Sequence, residues 1–103
     1  MIEITASFKG SHLILLESEG HSGSGTIGKD LICAGVSTVL FGLCNAIYEI
    51  AGIETVEINN NHLAIAVEEP TKTTDIVMST GLYQLLTIAE SNKKYVRIEM
   101  TEV

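Results

Sequence analysis

The chain has 103 residues, enough for one domain and too few for two. Six Lys plus Arg against thirteen Asp plus Glu give a formal net charge of −7, the wrong sign for tracking a phosphate backbone, so unaided nucleic-acid binding is excluded as a leading reading. Hydrophobic residues at 46% with charged residues at 18%, a single Pro and no low-complexity tract describe a chain that folds around a core.

The first ten residues, MIEITASFKG, alternate apolar and polar rather than running from a basic stretch into an apolar one, so they read as mature protein and not as a signal peptide. Ile2, Ile4, Ala6 and Phe8 share one face of this predicted strand. A second run, His12 to Glu19, follows after only Gly10-Ser11, which predicts a tight hairpin. Ser18 to Lys29 then holds four Gly and three Ser and reads as the one long loop.

From Asp30 the apolar period changes to three and four: Ile32, Cys33, Val36, Leu40, Leu43, Ile47 and Ile50 recur until Gly52. This predicts a largely buried helix with Asp30 as N-cap. Its longest apolar stretch, Leu31 to Ile47, is interrupted by Gly, Ser, Thr and Asn and falls short of the roughly 20 residues that span a bilayer. Thr55 to Asn59 and Leu63 to Glu68 form a second strand pair around the turn Asn60-Asn61. Thr74 to Ser91 is a second helix, and Tyr95 to Thr101 a closing strand with Val96, Ile98 and Met100 on one face. The expected fold is an α+β two-layer sandwich of order β-β-α-β-β-α-β, one domain over residues 1–103, with a largely antiparallel sheet of about five strands and both helices on one side. Gly35, Gly42 and Gly81 lie inside the helices, where each costs about 0.8–1 kcal/mol against Ala. Close approach of helix to helix or sheet is the favoured offset, and a subunit interface along Gly35, Gly42 and Ala46 the second.

Cys33 and Cys44 lie eleven residues apart on one helix, about 16 Å along its axis at 1.5 Å per residue, so they are expected as free thiols, which suits a reducing compartment. No C-x-x-C or H-x-H pair suggests a metal site, and no cofactor is implied. The stretch Gly20 to Ser37 carries the chemistry. Gly23 to Lys29 matches the body of a phosphate-binding loop, but Asp30 stands where a magnesium-binding Ser or Thr belongs, and hairpins are poor material for the parallel sheet such loops serve.

With Asp30 as N-cap, Cys33 is the third helical residue, where unpaired amides and the helix dipole favour a thiolate. His21 precedes the loop, which could fold its imidazole against the sulfur as a Cys-His dyad. A cysteine on an apolar helix can equally be a small buried hydrophobe, the reading that fits Cys44. His12 and His62 read as ordinary turn residues.

The run Gly20-His21, the glycine-bearing loop, and then GKDLICAGVS at the helix start resemble the ribosomal-processing cysteine protease Prp family. The resemblance implies a catalytic His21 and a nucleophilic Cys33, with Asp30 and Ser37 as the motif's supporting residues. Ser22, Gly23, Ser24, Gly25 and Gly28 would belong to a substrate-gating loop. Family members often have Ala where this chain has Ser22 and Gly35, which bears on how the loop and helix start pack. The resemblance further implies a cytoplasmic homodimer that removes a short N-terminal extension from a large-subunit ribosomal protein, the one numbered twenty-seven. Such an extension is basic, and an acidic surface suits it. A non-catalytic ribosome-associated binding module and a nucleotide-binding loop protein are the competing readings.

Overall fold

The computed structural model describes residues 1–20, 27–59 and 61–103, and for residues 27–30 the backbone alone. Strands β1 (Ile2–Lys9) and β2 (His12–Glu19) form the expected hairpin, Lys9 facing His12 across Gly10-Ser11. Helix α1 (Ile27–Ala51) follows, then the hairpin β3 (Val56–Asn59) and β4 (His62–Ala66), helix α2 (Lys72–Ser91) and strand β5 (Val96–Glu102). The sheet order is β3-β4-β2-β1-β5. All pairings are antiparallel except β1 with β5, which run parallel with Ile2 opposite Val96. The α+β sandwich and its element order stand as expected.

Alternation explains why one sheet face is covered. Ile2, Ile4 and Ala6 of β1, Leu13 and Leu16 of β2, and Leu63 and Ile65 of β4 are buried in one cluster with Val36, Leu40, Leu43 and Ile47 of α1 and Met78, Leu82 and Leu85 of α2. The opposite face keeps Glu3, Glu19, Arg97 and Glu99 exposed, the polar-out pattern of an antiparallel sheet with one solvated side. Of the three apolar positions expected inward on β5, Val96 is buried and Ile98 half-buried, whereas Met100 is exposed.

The two helices lie antiparallel. A Cβ placed on Gly35 would sit 3.8 Å from Ile88 Cδ1, and one on Gly81 would sit 2.5 Å from Leu43 Cδ2. Close approach therefore accounts for Gly81, whose missing side chain admits Leu43. It does not account for Gly35, which has ordinary room, or for Gly42, which has nothing within 4 Å.

Both helices begin earlier than the pattern predicted. Helix α2 is capped by Thr71, whose hydroxyl accepts from the Thr74 amide at 3.2 Å while the Thr74 hydroxyl accepts from the Thr71 amide at 2.8 Å. This is a reciprocal capping box with Thr in the place usually held by Glu or Gln. Helix α1 begins at Ile27, so Asp30 is a backbone residue of its first turn and not its N-cap. Leu31–Ala51 is long and apolar enough, by length and composition alone, to cross a membrane, four residues beyond the stretch ending at Ile47. In this fold its stripe Val36, Leu40, Leu43 and Ile47 packs into the core against the sheet.

The nucleotide-loop reading fails on topology. Strand β2, which leads into the glycine-rich segment, is bordered on both sides by antiparallel neighbours, β1 and β4. The loop motif needs a parallel sheet at that point, and Gly28 and Lys29 belong to the helix instead.

Candidate active site

Cys33 opens into a cavity of about 230 Å³ between α1, the end of β2 and the β3–β4 hairpin. Four residues of α1, Cys33, Ser37, Leu40 and Phe41, line it. Their spacing of four, seven and eight places them on one helical stripe. Ser18 and Gly20 from the end of β2, and Ile58, Asn59, Asn61, His62 and Leu63 from the β3–β4 hairpin, complete its lining. The cavity thus pairs apolar surface from Leu40, Phe41, Ile58 and Leu63 with hydroxyl, amide and imidazole groups, the mixture that seats and orients a ligand. Cys33 is half-buried and reduced, and so is Cys44. Burial pushes the Cys44 thiol above its ordinary pKa, outweighing a backbone hydrogen bond that pulls the other way. Cys44 packs against the core and does not line this cavity, as the buried-hydrophobe reading expects.

Gly20 fixes where the chain leaves the sheet. Its φ of +84° is left-handed, and a Cβ there would stand 2.6 Å from the Met1 carbonyl oxygen. Its amide donates to the Asn61 carbonyl at 2.9 Å, tying the end of β2 to the β3–β4 turn. The last described residue before His21 is therefore part of the cavity wall. His21 itself lies outside the described residues, as do Ser22, Gly23, Ser24 and Gly25. The side chain of Asp30 is likewise outside them. Ser37 is where the sequence motif implies, one turn beyond Cys33 and facing the same cavity.

Two expectations change. Gly28 is a first-turn residue of α1 and not a loop hinge. Cys33 is the seventh residue of that helix and not the third, and dipole effects fade within the first turn. Its own amide falls inside the i to i−4 ladder, so neither thiolate stabilisation nor an oxyanion donor follows from the helix terminus. Activation of the thiol has to come from a base.

Sequence reasoning also missed His62. Its Nε2 lies 3.1 Å from Glu17 Oε2, and the residue lines both the Cys33 cavity and a depression of about 180 Å³ on the open sheet face. That depression carries the carboxylates of Glu3, Glu17, Glu19 and Glu99, among which Glu3 pairs with Arg97. The signal was present as a strand register: Glu17 and Glu19 share the open face with His62 only once β4 pairs with β2.

Residues 1–97 match the profile of the cysteine protease Prp family. The chain belongs to that family. A ribosomal processing cysteine protease Prp of Staphylococcus aureus strain Mu50 is 31% identical over 102 residues, covering 94% of each chain. The Prp of Bacillus subtilis strain 168 is 41% identical over 54 residues, covering 50% of this chain and 48% of that protein. Among solved structures, the S. aureus Prp in complex with a covalently linked product peptide superposes with a TM-score of 0.83 at 29% identity, covering 97% of this chain and 99% of that one. A Streptococcus mutans protein superposes at 0.87 with 26% identity, covering 100% and 96%. The Prp assignment makes this chain a cysteine protease, and the non-catalytic binding-module reading falls with it.

Proposed function

We propose that the chain is an endopeptidase that removes the N-terminal extension of a large-subunit ribosomal protein, the one numbered twenty-seven, with Cys33 as nucleophile and His21 as base. The observation that carries this reading is the position of Cys33 in a cavity whose wall includes Gly20, the residue immediately before His21. Support for the substrate comes from the S. aureus relative, a ribosomal processing protease whose structures hold a substrate peptide and a covalently linked product peptide.

In the first step His21 takes the Cys33 thiol proton and the sulfur attacks the scissile carbonyl carbon, whose π electrons move to oxygen. Collapse of that adduct breaks the C–N bond, and His21 returns its proton to the leaving amine, the new N-terminus of the mature protein. The extension remains as a thioester on Cys33. Water then attacks the thioester, His21 accepting one proton and handing it to the departing thiolate, which releases the extension as a carboxylic acid. Ser37 supports the site from the next turn of α1. Asp30, no longer a cap, is left with a supporting role through its side chain. Ser22 to Gly25 supply the gating segment.

A net charge of −7 and the carboxylates on the open sheet face favour a basic extension, so cleavage efficiency should fall as salt rises. Salt-independent cleavage removes that electrostatic role. Homodimerisation in the cytoplasm completes the proposal. A groove of about 560 Å³ between α1 and α2, lined by Val39, Gly42, Ala46, Ile50, Ile76 and Val77, is the surface a second copy would cover. Sedimentation of wild type and Ala46→Arg tests it: a monomeric wild type contradicts the dimer, and a dimeric variant contradicts this surface. For the reaction, Cys33→Ser and His21→Ala are each expected to abolish cleavage of a peptide spanning the extension while the fold survives. Near-normal turnover by either variant refutes the dyad.

A further inference from the structure

His62 opens β4, facing Asn59 across the β3–β4 turn and Glu19 across β2. Its side chain is about three-quarters buried, with 25% exposed, and is anchored by Glu17. An ionised carboxylate only accepts, so the hydrogen of this contact sits on Nε2. In the neutral ring Nδ1 then carries a lone pair, and Nδ1 has no hydrogen-bond partner among the described residues. His62 also lines the same cavity as Cys33 and Ser37. A carboxylate-oriented imidazole whose Nδ1 has no partner among the described residues, in the lining of the cavity that holds the cysteine, is more than a strand-to-strand contact requires.

We propose that His62, held by Glu17, is a substrate-positioning residue: its Nδ1 accepts a hydrogen bond from a backbone N–H of the peptide seated in the Cys33 cavity. This rests on the reading of Cys33 as nucleophile. The contact exists before and during the reaction alike, so it contributes uniform binding, which lowers KM without changing kcat. A backbone donor makes the interaction independent of the peptide's side chains. Glu17 acts through the ring, fixing which nitrogen carries the hydrogen, in the way an outer carboxylate fixes a histidine tautomer elsewhere.

The test is steady-state cleavage of the extension peptide by His62→Ala, His62→Gln, Glu17→Ala and the double variant His62→Ala/Glu17→Ala, with urea unfolding of each. Loss of one neutral hydrogen bond should raise KM about 3- to 10-fold at near-constant kcat. His62→Gln, which keeps an acceptor oxygen, should recover part of this. Glu17→Ala should raise KM by a smaller factor, and the double variant should match His62→Ala because Glu17 works only through His62. A peptide series methylated at one backbone nitrogen at a time should contain one position that raises KM for wild type and leaves the KM of His62→Ala unchanged.

If the variants lose stability but keep the wild-type KM, His62 merely ties β4 to β2 and the proposal is overturned. If no methylated position discriminates wild type from His62→Ala, the backbone-donor assignment is overturned. Should His62→Ala fail to fold, His62→Gln takes its place in both comparisons with the same refuting outcomes. A Cys33→Ser protein that still cleaves overturns the reading beneath the proposal. An inactive Cys33→Ser beside a normal KM for the His62 variants overturns the proposal alone.

Discussion

Replacing Gly20 by Ala should damage the site from a position that carries no reactive group. At φ +84° an L-residue costs about 1–2 kcal/mol more than Gly. The new Cβ would also stand 2.6 Å from the Met1 carbonyl oxygen, well inside contact distance. That carbonyl cannot swing aside freely, because its peptide plane also carries the Ile2 amide, which donates to the Tyr95 carbonyl at 2.8 Å and fixes the start of β1 against β5. Relief has to come from Gly20 itself, at the expense of its 2.9 Å bond to Asn61, about 0.5–1.5 kcal/mol. The expected loss is about 1.5–3.5 kcal/mol in urea unfolding. A typical domain with 5–15 kcal/mol of stability remains folded after such a loss. Cleavage measured under conditions where the variant is folded should nevertheless fall at least tenfold, since the residue that aims the chain toward His21 has moved. A Gly20→Ala protein within about 0.5 kcal/mol of wild type, with full activity, refutes the reasoning.

The two helix glycines that face the other helix should respond in opposite directions. Gly35→Ala gains about 0.8–1 kcal/mol of helix propensity with ordinary space around its Cβ, whereas Gly81→Ala meets Leu43 at 2.5 Å and should show a net loss of about 1 kcal/mol from overpacking. Thermal unfolding of both checks this, and equal shifts contradict it. Thr71→Ala removes half of the α2 capping box and should cost about 0.5–2 kcal/mol in urea. For Cys44, whose thiol pKa is raised by burial, the folded state holds the proton more tightly than the unfolded chain. Its contribution to stability is complete below the ordinary thiol pKa and is lost as pH climbs through the raised one. Alkylation of Cys44 in a Cys33→Ser background should accordingly lag that of a free thiol until strongly alkaline pH, and reaction at neutral pH as fast as a free thiol contradicts the burial argument.

Local pattern was legible and long-range pairing was not. The Gly10-Ser11 hairpin, the β3–β4 strand pair and both helices are written in alternation and spacing, and they appear within a few residues of their expected bounds. The errors at helix starts have physical causes. The capping rule favoured Asp30 over a start inside a glycine-rich run, and in α2 a threonine took the role in which the rule expects Glu or Gln. Sheet order depends on which strand edges meet, and nothing local announces that β5 joins β1 in parallel. His62 was unreadable for the same reason. Its partner Glu17 lies 45 residues away, and only the β2–β4 register brings the two onto one face beside the Cys33 cavity. Cys33 could be placed on a helix because the helical period was readable, although its place within that helix moved by one turn.

The most direct measurement is acid quenching of wild type during turnover of the extension peptide, followed by intact-mass analysis and fragmentation. The account predicts a transient mass increase equal to the cleaved extension less water, carried as a thioester on Cys33 and absent from Cys33→Ser. Cleavage by Cys33→Ser, or an adduct carried on Cys44, contradicts it.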